Sequence, residues 1–334
     1  MKHIPCLLTA VSITVAGFGL SSTASAEEAV LRAVTFTPAQ AYYAKSFQSF
    51  ADQVNEKGKG VVRIEVIGGP EVVPPLKLGE AQMNGVADIF NLPAGLYLNL
   101  VPEGEVFAGS NHTPMENRAN GGFDMVNEVF KEKGNAVLLA HVDGGAPFHI
   151  FLTKEPKLDA EGNPDLTGLK IRTAPLYRSF VESLGAVNVV QSPSDVYTSL
   201  ERGVVDGTGY TVLGFRDFNW DKFTKYRIDP GFFQTDVLIS MNKDSWDKLS
   251  PEAQAILEEV AISYEKESYE AVKSATEAED KALRDGGMEI IELKGAAREK
   301  YLDDAYTVTW ERLKSRDDTH YDALREKFFT EGTN

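Results

Sequence analysis

The chain has 334 residues, 25% of them charged, and a formal net charge of −16. Such acidity excludes nucleic acid and anionic lipid as electrostatic partners. The single cysteine excludes a disulfide framework and a cysteine-ligated metal, so stability must come from a packed core, which a chain of this length can supply as two domains.

Residues 1–26 read as a cleaved secretory signal peptide. Lys2 and His3 form a short basic start, Ile4 to Leu20 is an apolar run, and Ala24-Ser25-Ala26 is a small-x-small cleavage signal. The run is diluted by Ser, Thr and Gly and ends in small residues, unlike a membrane anchor. Cys6 falls inside the segment to be removed, so it is not a lipoprotein cysteine. Removing Lys2 leaves 50 acidic against 33 basic residues, a net of −17, on a chain expected in the periplasm.

Past the signal, Val30 to Phe36 reads as a strand and Thr37-Pro38 as the opening of a helix. Tyr43, Phe47, Phe50, Ala51 and Val54 give that helix an amphipathic stripe, and Gly58-Lys59-Gly60 stops it. Val61 to Ile67 alternates as a second strand, and "GGPEVVPP" turns the chain. A helix near Leu76 to Asn84 leads through Gly85 to a strand at Val86 to Phe90. This β-α-β-α order predicts an α/β architecture with a largely parallel sheet.

Phe123 to Phe130 reads as a helix, Ala136 to His141 and Phe148 to Thr153 as strands, and "DAEGNPDLTG" as a surface loop. "GLKIRTAP", residues 168–175, alternates Leu169 and Ile171 with Lys170 and Arg172 before Pro175 opens a helix. Ala186 to Val190 is a further strand, Ser192-Pro193 caps a helix, and Gly203 leads into a short strand at Val204 to Asp206. After Ser250-Pro251-Glu252, no Gly or Pro interrupts an Ala-, Glu- and Lys-rich segment reaching about Leu283. At about 1.5 Å per residue that helix would run about 50 Å. Ile256, Val260, Tyr264 and Val272 do not sustain a heptad, so one helix laid across two lobes is predicted rather than a coiled coil.

No nucleophile elbow, phosphate-binding glycine loop or zinc-protease helix occurs, and His112, His141, His149 and His320 are far apart in sequence. No catalytic residue, metal ligand or cofactor is therefore expected. Binding has positive support. Ligands of α/β folds gather at the carboxyl ends of strands. Here those ends carry Phe36, Asn91, Phe148, His149, Arg172 and, past Asp206, Tyr210. Arg172 is the one fixed cation among them. Its guanidinium can fork onto a ligand carboxylate, or pair with a local acid.

The segment "GLKIRTAPLYRSFVESLGAVNVVQSPSDVYTSLERGVVDGTGYT" resembles the DctP-type solute receptors of TRAP (tripartite ATP-independent periplasmic) transporters. The likeness rests on Gly168-Leu169-Lys170-Ile171-Arg172, Leu184-Gly185-Ala186, Val196-Tyr197 with Leu200, and Gly203-Val204-Val205-Asp206-Gly207, in that order and spacing. "GGPEVVPPLKLGEAQMNGVADI" and "LISMNKDSWDKLSPEAQAIL" are also similar, so it covers essentially the whole mature chain. The resemblance implies an α/β, two-lobed periplasmic binding protein fold with a long helix spanning both lobes and one ligand in the cleft. Lobe I is expected at 27–147 plus 232–268, and lobe II at 148–231 plus 269–334.

The resemblance also implies that Arg172 bridges to a ligand carboxylate. Two departures from the family pattern bear on the rest of the site. Many relatives place an amide or acid after the Val-Asp-Gly element, where this chain has Thr208, Gly209 and Tyr210, which argues against a metal-assisted site. Sialic-acid receptors carry a second arginine on the strand matching Ala146 to Leu152, where this chain has Phe148 and His149. An aromatic-lined pocket for a monocarboxylate follows as the expectation. Tyr43, Glu71, Asn91, Tyr97 and Phe232 are further cleft candidates, each also readable as a packing residue, while Asp206 with Gly207 and Arg178 read as turn and solvated helix. The implied function is a monomeric receptor that passes a small organic acid to TRAP membrane permease subunits. The other readings are a periplasmic enzyme on a small carboxylic acid and a sensory receptor without transport.

Overall fold

The computed structural model describes residues 27–316 and 319–332. The expected signal peptide, residues 1–26, lies outside them. In chain order the strands are β1 (Ala29–Thr35), β2 (Val62–Gly68), β3 (Ile89–Pro93), β4 (Ala136–His141), β5 (Phe148–Leu152), β6 (Lys157–Leu158) and β7 (Pro164–Asp165). They continue as β8 (Lys170–Thr173), β9 (Val187–Val190), β10 (Gly207–Thr211), β11 (Tyr226–Phe232), β12 (Val237–Asn242) and β13 (Glu289–Glu292).

Two large sheets form, one in each lobe, with strand orders β2-β1-β3-β12-β4 and β13-β11-β5-β10-β8-β9. Both are mixed, where the sequence predicted a largely parallel sheet. β12 runs antiparallel to β3 and β4, and β5 antiparallel to β10 and β11. The reason lies in the connections. The chain leaves the first sheet after β4 through a short non-helical segment and enters the second directly as β5, then returns from β11 to β12 without a helix as well. Neither passage carries the helical crossover that a parallel pair needs. Thr235 ties the two passages together: its N–H donates to the carbonyl of Ala146 at 2.9 Å, and its hydroxyl donates to that of Asp143. β3, β4 and β12 are buried almost throughout, which accounts for their near-continuous apolar sequences.

Strand boundaries shift at two places. β3 begins three residues later than expected, because Val86 to Asp88 turns out of the preceding helix. Val204 to Asp206 is not a strand; β10 starts at Gly207 and is fully buried.

The helix Pro251–Asp285 is one unbroken element of 35 residues. Ser250 caps it by accepting from Ala253 N at 3.2 Å, with Pro251 in the first turn. Its first half packs Leu257, Ala261 and Tyr264 into the core of the first lobe. There Glu265 accepts from both Nε and Nη2 of Arg118 at 2.8 Å and from the His141 N–H at 2.9 Å. Its far end meets the second lobe, where Asp280 pairs with Arg227 of β11 at 2.6 Å. A second bridging helix, Gly295–Arg316, lies in a stretch the sequence reading left without elements. It places Tyr301 and Leu302 in the second core and Trp310 and Leu313 in the first. Among the described residues no helix is long and apolar enough to cross a membrane.

Candidate functional site

A pocket of about 640 Å³, counting its open mouth, lies where the two sheets face each other. The first lobe contributes Phe36, Tyr43, Leu76 and Gly95; the second contributes Phe148, Arg172, Tyr177, Gln191 and Tyr210. Thr235, Asp236 and Val237, at the return from β11 to β12, close its base.

Arg172 sits on β8 with Ile171 packed in the second core, and the elbow after the strand is pinned from behind. Arg312 of the second bridging helix donates to the carbonyls of Pro175 at 3.1 Å and Leu176 at 2.5 Å while pairing with Glu105 at 2.9 Å. Arg172 is only 2% exposed. Nε and Nη2 both donate to the carbonyl of Gln191, at 2.9 and 2.6 Å. Nη1 donates to the hydroxyl of Tyr177 at 3.0 Å and the carbonyl of Gly209 at 3.2 Å. Among the described residues no carboxylate pairs with it. Buried charge is costly unless hydrogen-bonded or paired. Here neutral acceptors hold the cation in place without neutralising it, and one of the five N–H groups, on Nη2, has no acceptor among the described residues.

Tyr177 completes this arrangement. Its hydroxyl accepts from Arg172 and donates to the carbonyl of Gly209 at 2.6 Å. Burial raises its pKa, partly offset by the Arg172 charge. Gly209 has no side chain to obstruct the ring. Tyr210 follows on the pocket wall, its hydroxyl buried with no partner among the described residues, as is Oε1 of Gln191. Across the pocket the Tyr43 hydroxyl lies 2.9 Å from Oγ1 of Thr211.

Asp236 is the one acid on the lining. Its Oδ2 accepts from the Gly95 N–H at 2.6 Å, and burial pushes its pKa up to about 6.

Of the residues expected at the site, Arg172, Phe148, Tyr210 and Tyr43 lie together on the pocket wall. Phe36, at the end of β1, lies there too, and the other five lie off it. Phe232 stands behind the wall, its ring 6.3 Å from that of Phe148 and 4.8 Å from that of Phe180. His149 points away, as strand alternation requires, with Nδ1 2.9 Å from Oδ1 of Asp229 and 3.1 Å from the carbonyl of Ile228. Asn91 is fully buried in β3, both amide atoms without a partner among the described residues. Glu71 is exposed in its loop and accepts from the Gly69 N–H at 2.8 Å, which holds its carboxyl below the usual range. Tyr97 packs against Phe130 within the first lobe. Asp206 accepts from Lys170 N at 2.9 Å and pairs with Lys154 at 3.0 Å, so its carboxylate ties the start of β8 instead of closing a local turn, and Arg178 is exposed, 3.7 Å from Glu182. Tyr177, Gln191 and Asp236 went unread in the sequence. Tyr177 lies inside the motif around Arg172, and Asp236 is the lone acid in the apolar run "TDVLISM". Among the described residues no group of three or more His, Asp or Glu is arranged to hold a metal ion.

Comparison with known proteins shows the family. The model of the bacterial extracellular solute-binding proteins, family 7 (DctP), matches residues 33–315. A solute-binding protein of Chromohalobacter salexigens is 25% identical over 262 residues, 75% of each chain. Another, from Roseobacter denitrificans, is 30% identical over 145 residues, and this chain spans only 44% of its length. Among solved structures, the DctP7 solute receptor of Bordetella pertussis, which binds pyroglutamic acid, superposes with a TM-score of 0.79 at 16% identity, over 90% of this chain and 99% of that one. A TRAP periplasmic solute-binding protein of Sulfitobacter sp. with bound β-D-galacturonate gives 0.76 at 21% identity, over 89% and 99%. With two mixed α/β lobes, two bridging helices and a family match over most of its length, the chain belongs to family 7 of the bacterial extracellular solute-binding proteins, the DctP family.

Proposed function

We propose that the protein is a periplasmic receptor for a small organic acid, which it binds in the interlobe cleft and delivers to TRAP-type permease subunits without chemical turnover. The observation that carries this reading is Arg172: a buried guanidinium, held only by neutral acceptors, on the wall of an aromatic pocket. A ligand carboxylate would supply the missing negative charge, first through the free N–H of Nη2 and then by taking over the bond to Tyr177. The acids bound by structural relatives, among them galacturonate and pyroglutamic acid, support the class of ligand. We assign residues 27–147 plus 232–268 to lobe I and 148–231 plus 269–334 to lobe II, so that the ligand, contacting both, favours their closed arrangement.

Thermal-shift screening of an organic-acid library against the mature chain tests this, since a ligand of the folded state raises stability with concentration. Arg172→Met keeps the aliphatic stem and removes the charge. Its expected effect is a loss of about 3 kcal/mol or more in affinity for the acid found, with a smaller loss of apo stability from the Gln191 carbonyl left without a donor. Unchanged affinity would refute the clamp.

A further inference from the structure

The pocket holds two fixed charges of opposite sign that do not meet. Arg172 and Asp236 both line it, each almost completely buried, and no ion pair joins them. Tyr177 lies close to both: its hydroxyl bonds to Arg172, and the Asp236 charge acts on its ionisation. Asp236 is anchored through Oδ2 to the Gly95 N–H at 2.6 Å, and its own N–H also acts on the carboxylate, while no side chain among the described residues donates to it. The walls around the two charges are apolar: Phe36, Phe148, Leu176, Pro93 and Val237.

A carboxylate held only by backbone N–H groups in a largely desolvated pocket is short of donors, and a ligand that supplies one relieves it. Two opposite charges too far apart to pair are bridged by a molecule with an anionic end and a donor end. Beyond Asp236, the wall offers the unpartnered Tyr210 hydroxyl and Gln191 Oε1, so an acid bearing one or two donors suits it better than one bearing many hydroxyl groups. We propose that Asp236 is a second recognition residue, and that the ligand is a small carboxylate with a largely apolar body carrying one N–H or O–H group that donates to Oδ1 of Asp236. This rests on the acid-receptor reading above and names the chemistry of the ligand's other end.

Titration calorimetry on matched acids, each pair differing in the donor, decides it. The pairs are L-proline with tetrahydrofuran-2-carboxylate, mandelate with phenylacetate, and 3-hydroxybutyrate with butyrate, with D-gluconate as a polyhydroxylated control. The expected result is that at least one donor-bearing acid binds tenfold or more tighter than its partner and than gluconate. The proline pair against the two hydroxy-acid pairs tells N–H from O–H. Asp236→Asn keeps an oxygen for the Gly95 N–H and turns an amide donor toward the ligand, so the preference should vanish or invert with the fold intact by thermal melting. Asp236→Ala should abolish it without inversion. Equal binding within every pair, tighter binding of gluconate, or a preference that survives both variants overturns the role of Asp236 and leaves the acid receptor standing. If no acid of the panel binds, both readings fall; the wild-type comparison needs neither variant to fold.

Discussion

Gly209 and Tyr177 are fitted to each other: a Cβ at position 209 would stand 2.4 Å from Cε2 of the Tyr177 ring. The glycine lets the ring lie against β10 with its hydroxyl on the Gly209 carbonyl, and that same hydroxyl receives Arg172. Gly209→Ala should therefore act on Arg172 through Tyr177. Overpacking of this kind costs about 1–3 kcal/mol, measurable by urea unfolding. Ligand affinity should fall at least tenfold alongside it. Affinity unchanged in a destabilised variant would show that Tyr177 does not position the arginine.

That coupling marks where the sequence was legible. Arg172 was found because an arginine breaks an apolar alternation at a strand end and the surrounding motif fixes its setting. Its hydrogen-bond partners were not, because Gln191 and Gly209 act through backbone carbonyls, which any residue carries. The position of β10 was misread for a related reason. Val204 and Val205 have strand propensity, whereas Gly207 and Gly209 do not. A central strand overrides that preference where neighbours crowd it: a Cβ on Gly207 would lie 2.4 Å from the Phe151 carbonyl. The long helix was legible from end to end because capping and an unbroken helix-forming sequence are local signals. The second bridging helix splits its buried residues between two cores, which blurs its apolar stripe. Asp236 depends on how the chain re-enters the first sheet, and nothing within a few residues of it encodes that.

Gly95 and Leu176 meet across the cleft. A Cβ at 95 would lie 3.1 Å from Cβ of Leu176 and 3.2 Å from Oδ2 of Asp236. Gly95→Ala should cost the unliganded protein no more than about 1 kcal/mol, as parting the lobes relieves the Leu176 contact and leaves only the tight approach to Asp236 within the same lobe. Binding requires that they stay together, so affinity should drop by about 1–2 kcal/mol. Titration beside thermal melting separates the two effects, and equal losses in both would contradict a closure contact.

Glu265 joins the long helix to the first lobe through the paired bonds to Arg118 and the N–H of His141. The carboxylate is 1% exposed. Removing one partner of such a pair leaves the other charge buried, at a cost of about 3–5 kcal/mol. Glu265→Ala should lose that much in urea unfolding and Glu265→Gln less, since the amide oxygen still accepts. A loss below about 1 kcal/mol for the alanine variant would show that the pair is not what fixes the helix.

Asp143 sits where the chain leaves the first sheet, fully buried, with Oδ1 accepting from the Ser46 hydroxyl at 2.8 Å and Oδ2 without a partner among the described residues. Burial pushes its pKa from 3.8 up to about 7. A carboxyl raised in the folded state favours folding while protonated: that stability is complete below 3.8 and lost as pH rises through about 7. Asp143→Asn stays neutral at every pH, so its stability relative to wild type should climb between pH 4 and 8. The two pKa values set the full rise at about 4 kcal/mol. Asp236 is also raised, but it titrates in both proteins and cancels from the difference. Paired thermal melts at half-unit pH steps measure the trend directly. A difference that stays flat across the range would mean that Asp143 is ionised in the folded protein well below pH 7, with water or the movement of Tyr42 and Tyr264 solvating its second oxygen.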